Sequence, residues 1–280
     1  MISKNINNKT DAAWNKLHNR LEIEGLLEAK SENKVIRAFA KSTALRVAAA
    51  LVILIGATLY LTVWNKGSET LLSVYNSEES STVATTLEDG STVFLAKNTT
   101  LSYPKHFNKE RREVRLEGNA YFEIFKNPAK PFIVETELIS IEVLGTSFNV
   151  AVSNTSLPSI AVNTGRVSVT LKSNGQRVTL LAGESAVIRS GSLHSMPTED
   201  LEQFSLYMNR IHFKDEKLSD VVRIINKNSP QLSIELAPGL EERFITATFT
   251  GNSPDTMAQL ICVALNLNYT MQEGKVLIHE

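Results

Sequence analysis

The stretch TTLEDGSTVFL, residues 85–95, holds two short β-rich runs on either side of Asp89-Gly90. Asp-Gly between hydrophobic runs is the pair a type I′ hairpin selects, because both central residues of that turn need positive φ. The arrangement returns at 166–181, where RVSVTL and QRVTLL flank Asn174-Gly175. There Val167, Val169 and Leu171 face Val178 and Leu180 at period two. Between the hairpins lie REVRLEG (112–118), AYFEIF (120–125), PFIVET (131–136) and SIEVLGTSFNVAV (140–152), divided by Gly, Pro and Asn. Many short strands at near-regular spacing predict an all-β domain over 82–190. Its form is a sandwich or β-roll with mostly antiparallel pairing.

Downstream, residues 191–209 read as a polar connection, after which the pattern becomes strand–helix–strand, twice. RIHF (210–213) precedes a helix with Leu218, Val221, Val222 and Ile225 on one face, and LSIEL (232–236) follows. ITATFTG (245–251) then precedes a helix opened by Ser253-Pro254-Asp255, with Ser as N-cap and Pro at N1. Met257, Leu260, Ile261, Ala264 and Leu265 are its expected core face, and LNYTM (267–271) and KVLIHE (275–280) close the module. Residues 210–280 are thus expected to form a small α+β domain, a duplicated βαβ-like unit. Cys262 is the chain's single cysteine; it excludes an internal disulfide and reads as a small core residue.

Upstream, VAAALVILIGATLYLTVW (47–64) runs eighteen residues without a charge. With Ala44 and Leu45 it is long enough for one membrane span, since a hydrocarbon core of about 30 Å needs roughly 20 apolar residues. Arg46 can snorkel at one interface, while Tyr60 and Trp64 suit the other. Residues 1–46 hold nine Lys/Arg against five acids, a charge of +4. That leaves −5 for the rest of a chain whose net charge is −1. The positive-inside rule puts the basic flank in the cytoplasm and residues 65–280 on the far side, the periplasm of a Gram-negative cell. The expected plan is a cytoplasmic segment (1–43), a transmembrane helix (44–64), a linker (65–81), the β domain, the connection and the α+β domain.

Residues 10–29 read as an amphipathic helix with Trp14, Leu17 and Leu21 on one face, continued less regularly by Leu26 and Leu27. So short a segment has no core of its own, so the stripe lies on the membrane or in a partner's groove. Glu22, Glu24, Glu28 and Glu32 would be repelled by anionic lipid, which favours a protein partner. The near-neutral net charge argues against a direct nucleic-acid binder. No phosphate loop, dinucleotide turn, nucleophile elbow or zinc-protease helix appears. The five histidines lack ligand spacing, so no metal or cofactor is expected.

Six ordered blocks carry a resemblance: TTLEDGSTVFL (85–95), LSYP (101–104), VRLEGNAYFEI (114–124), KPFIVET (130–136), IEVLGTSFNVAV (141–152) and LLAGESAVI (180–188). In these the chain resembles the FecR-like anti-sigma factors, and its last 75 residues look like the C-terminal domain of Bacteroidetes members. That domain is similar to the short signalling domain of TonB-dependent transporters and to secretin N-domains. A Trp common in relatives is replaced here by Leu206-Tyr207-Met208. The resemblance implies a transmembrane regulator rather than an enzyme. It would relay a signal from an outer-membrane TonB-dependent transporter to a cytoplasmic sigma factor of the extracytoplasmic-function class, often through envelope proteases. Trp14, Leu17 and Leu21 would then bind the sigma factor. The transporter's signalling domain would dock by adding a strand at Val276, Leu277 and Ile278. Some relatives cut themselves at a Gly-Thr bond, which makes Gly145-Thr146 a candidate for self-cleavage; the plainer reading of this pair is a strand turn or bulge. The alternative function is an envelope assembly protein docking a secretin-like ring.

Overall fold

The computed structural model describes residues 3–25, 43–64, 71–77, 81–152, 158–198, 203–229, 231–272 and 274–280. The chain divides into two compact units, Met1–Gly67 and Ser68–Glu280.

The first unit holds α1 (Ser3–Ile23) and α2 (Thr43–Trp64). α1 begins seven residues earlier than the periodicity predicts and ends sooner. It stops where Gly25 takes φ 68°, with the Gly25 amide donating to the Glu22 carbonyl at 3.3 Å. Leu26 and Leu27 lie outside the described residues. The expected transmembrane helix is not upheld: among the described residues, no helix is long and apolar enough to cross a membrane.

The second unit is mostly β. Its strands are β1 (Leu71–Asn76), β2 (Thr82–Thr86), β3 (Thr92–Leu95), β4 (Thr99–Pro104), β5 (Arg112–Glu117), β6 (Asn119–Glu123), β7 (Phe132–Glu135), β8 (Ile139–Val143), β9 (Ser147–Ala151), β10 (Ser159–Thr164), β11 (Arg166–Leu171), β12 (Arg177–Leu181), β13 (Glu184–Arg189) and β14 (Ser192–Pro197). After them come α3 (Gln203–Asn209), β15 (Arg210–Lys217), α4 (Leu218–Lys227), β16 (Ser233–Leu236), β17 (Phe244–Thr250), α5 (Pro254–Leu265), β18 (Asn268–Gln272) and β19 (Lys275–His279). Both hairpins form, and Val167 stands opposite Leu180 as read. Neither turn is type I′, however: Gly90 and Gly175 take positive φ (80° and 74°) while Asp89 and Asn174 do not. The loops are longer than two residues, with Thr86 opposite Thr92 in the first hairpin and Thr170 opposite Arg177 in the second.

A seven-stranded sheet, β1-β4-β5-β7-β8-β11-β12, and a nine-stranded sheet, β14-β13-β10-β9-β6-β3-β2-β15-β17, enclose one apolar core between them. All pairings in these sheets are antiparallel except β5–β7 and β2–β15. Val93, Leu95, Phe122 and Phe148 of the larger sheet meet Leu101, Val114, Phe132 and Ile141 of the smaller in that core.

The nine-stranded sheet runs on into the C-terminal module through β15, which pairs with β2 from Ile211↔Thr82 to Phe213↔Ala84. α4 and α5 lie between its outer face and a third sheet, β16-β19-β18. Ala84, Phe94, Tyr121 and Ala161 on that outer face share a second core with Ile211, Val221, Ile225, Ile261 and Val276. Strands β3 and β6 are therefore covered on both faces, and every residue of TVFL is buried. The core face of α5 is turned from the expected one: Ala258, Ile261 and Cys262 are buried, whereas Leu260 and Ala264 are exposed. Ser253 and Pro254 occupy the N-cap and first-turn positions read from the sequence.

Candidate functional site

The joint between the sandwich and the module holds a buried aromatic and polar arrangement. Tyr121 of β6 projects from the outer face, stacks on Tyr207 of α3 at 5.8 Å between ring centroids, and tilts against Phe94 at 5.9 Å. The Tyr207 hydroxyl donates to Asn149 Oδ1 at 2.8 Å, and Asn163 Nδ2 donates to the Tyr121 hydroxyl at 3.0 Å. Burial pushes the Tyr207 phenol up to about 12, so both rings stay neutral. Tyr207 stands in the segment where a Trp is common in the resembled family, and as an aromatic with a hydrogen-bonding tip it fills the contact. Around the rings, Lys227 Nζ of α4 pairs with the buried Glu123 carboxylate at 2.8 Å.

One further carboxylate sits where β15 bulges between Phe213 and Glu216, with Asp215 held at φ 54°. Glu216 Oε1 accepts the Thr86 amide at 3.3 Å. Burial pushes its carboxyl up to about 7, against hydrogen bonds from Thr85 and Thr86 that favour the anion, while Asp220 adds a small raising effect.

Asp89 does more than make a turn. Its Oδ1 accepts the Ser91 amide at 3.0 Å, and its Oδ2 accepts both the Ser91 hydroxyl at 2.8 Å and Arg112 Nη1 at 2.6 Å. Arg112 is wholly buried: Nε donates to the Lys130 carbonyl, Nη1 to the Phe125 carbonyl, and the guanidinium lies 5.4 Å from the Phe132 ring centroid. Glu88 accepts the Phe107 amide and pairs with His106 Nδ1 at 2.9 Å. The acidic turn thus fastens residues 106–112 and the β6–β7 connection. One sequence signal pointed here: Arg112 is in phase with Val114 and Leu116.

A family model described as FecR protein matches residues 73–168, which run from β1 into β11. This is a FecR domain. The resemblance drawn from the six blocks is borne out. The chain is also similar to two crystal structures of an anti-sigma-factor candidate from Parabacteroides distasonis ATCC 8503. One, at 2.50 Å, has 25% identity and a TM-score of 0.46; the other, at 1.65 Å, has 26% identity and a TM-score of 0.45. Each alignment covers 75% of this chain and 99% of the other. Among curated proteins none matches the chain.

Gly145 and Thr146 join β8 to β9 inside the FecR domain. Gly145 takes φ 153° and lies so close to the backbone of Lys126 that a Cβ would come within 2.5 Å of the Lys126 Cα. Thr146 is buried, its Cγ2 facing Gly165, and its Oγ1 makes no hydrogen bond. Gly is required there by close backbone approach, and no base engages the Thr hydroxyl.

The other sequence-derived residues fall in separate places. Along α1, Trp14 (69% exposed) and Leu17 stand in solvent, and Leu21 is half-buried. In the module, β19 is the central strand of its sheet, paired in parallel with β16 and antiparallel with β18. It offers no free edge. Val276 and Ile278 are core residues, and only Leu277 reaches the surface, because alternate side chains of a strand point to opposite faces. The free edges of this sheet are β16 and β18. Among the described residues no cluster of His, Cys, Asp and Glu could hold a metal.

Proposed function

We propose that this chain is a FecR-type anti-sigma regulator, in which α1 holds a sigma factor of the extracytoplasmic-function class and the C-terminal module receives the signalling domain of a TonB-dependent transporter. The match of residues 73–168 to the FecR family carries this reading. The exposed Trp14 and Leu17 on a helix with a basic residue, Arg20, in its last turn support the sigma-binding role. Large aromatics dominate interface energetics when a partner covers them. Leu277 is the member of the expected docking trio that a transporter domain can touch.

Sigma-factor binding requires the α1 segment in the cytoplasm; a reporter fused after residue 40 that is active only outside the cytoplasm overturns that role. Capture with the full chain, followed by mass spectrometry, is expected to identify a sigma factor. Trp14→Ala should weaken that binding by about 2 kcal/mol, the size of an interface hot spot. Unchanged capture by Trp14→Ala, Leu17→Asp and Leu21→Asp would remove α1 from the sigma-binding role.

A further inference from the structure

Strand β18 differs from every other strand of the described residues in being exposed along its whole length. Its sequence, Asn-Tyr-Thr-Met-Gln, has no charge and no proline, the preceding Asn266 and Leu267 add none, and the first charge is Glu273, next in the chain after its last residue. The opposite edge of the same sheet is guarded. β16 carries Glu235, paired with Lys275 at 2.7 Å, and has Pro230 before it and Pro238 after it. Charges and prolines at an edge are how soluble sheets prevent unwanted pairing, so a bare edge beside a guarded one calls for an occupant.

The register shows where an added strand would rest. Tyr269 lies opposite Ile278 and Met271 opposite Val276, so both share the face of β19 that packs on the helices. They overrun that core: Met271 is 56% exposed, and Val263 on the neighbouring face of α5 is 81% exposed. Gln259, Cys262, Val263, Asn266 and Tyr269 line a groove along the edge, and no charged residue is among them. Thr270 lies on the opposite face with Leu277, its hydroxyl 3.1 Å from His279 Nε2.

We infer that β18 pairs antiparallel with β18 of a second copy of this chain, across a two-fold axis through Thr270. The strand is complementary to itself. In that register Tyr269 faces the partner's Met271 on the helix side, an aromatic–thioether contact. Asn268 faces Gln272, amide to amide, and Thr270 faces Thr270 on the outer side. All the opposed pairs are neutral, and the apolar overhang formed by Tyr269, Met271 and Val263 from each copy closes into one cluster under a six-stranded sheet. Two-fold pairing of identical edges is a closed, isologous contact that leaves no further β18 edge to propagate.

The full-length chain, followed by light scattering across a dilution series, is expected to be a dimer. Thr270→Lys places two ammonium groups opposite each other at the axis and should weaken the dimer by roughly tenfold or more. Thr270→Cys should give a reducible covalent dimer under mild oxidation, since directly opposed Cα atoms in antiparallel strands lie within disulfide reach. Cys262, the other thiol, is buried and cannot substitute. A monomeric wild-type chain, a dimer unaffected by Thr270→Lys, or a dimer in which Thr270→Cys does not cross-link would each overturn the assignment. So would a monomeric chain whose capture of a transporter signalling domain is lost on Thr270→Lys, because the edge would then belong to that other protein. None of these outcomes bears on sigma-factor capture by α1.

Discussion

Arg112 enters the core because it is in step with Val114 and Leu116 on β5, and a strand carries every second side chain to the same face. Its charge is tolerated only because Asp89 and two backbone carbonyls meet it. Asp89→Ala leaves that guanidinium buried without a counter-charge. It should lower the unfolding free energy by about 3–5 kcal/mol, read from denaturant midpoints. Thr146 is the reverse case, a buried hydroxyl with no partner. Thr146→Val preserves its shape and should leave stability unchanged or raise it by about 1 kcal/mol. The wild-type protein is expected to run as a single full-length band. A pair of fragments that disappears in Thr146→Val would instead make Thr146 a nucleophile in self-cleavage.

Among the elements, β15 is the one that two halves of the unit share, and its bulge brings Glu216 against the end of β2. The groups facing that carboxyl are the Thr85 hydroxyl and Thr86 amide of β2, the Tyr103 phenol of β4 and Asp220 of α4. Asp220 is itself paired with Arg223, and Lys217 turns away to Glu242. The neutral acid is favoured in the folded state, so folded Glu216 binds its proton more tightly than unfolded Glu216 does. Its contribution is fully present below about pH 4.5, the ordinary value of the group, and is lost as pH rises to about 7. The total change is roughly 3 kcal/mol at most. Glu216→Gln should flatten this part of the stability–pH curve. An unchanged slope between pH 4.5 and 7 would assign the dependence to other groups.

At the scale of the whole molecule, the FecR sandwich and the C-terminal module are joined by a common sheet and a common core. Ala84, Phe94 and Tyr121 are surface positions of the sandwich alone and interior positions of the intact unit. Removal of residues 205–280 would bare those rings and the edge of β2, inviting edge-to-edge association. The truncated chain should melt lower than the full chain and aggregate, as followed by scattering during a thermal ramp. A truncation that melts at the full-length temperature would show that the sandwich is stable without its cover. Tyr207→Ala is the milder version of the same test, because it removes only the stacked ring and its bond to Asn149.

Strands β1 and β14 formed in stretches read as linker and connection. Local pattern alone determined most strands from β2 to β12, the places of both hairpins, the Ser253-Pro254 helix start and the FecR blocks. Each of these depends on neighbours a few residues apart in the chain: turn residues that accept positive φ, period-two alternation, and a cap beside its first turn. Tertiary structure decided the rest. The parallel pairing of β2 with β15 links residues about 130 positions apart, and no local preference records it. Burial of Tyr121 beneath Tyr207, the pairing of Asp89 with Arg112 and the rotated face of α5 follow from which surfaces meet. The place of β19 is the clearest instance. Its apolar alternation is the same for a central and an edge strand, and only the assembled sheet makes it the centre and leaves β18 open.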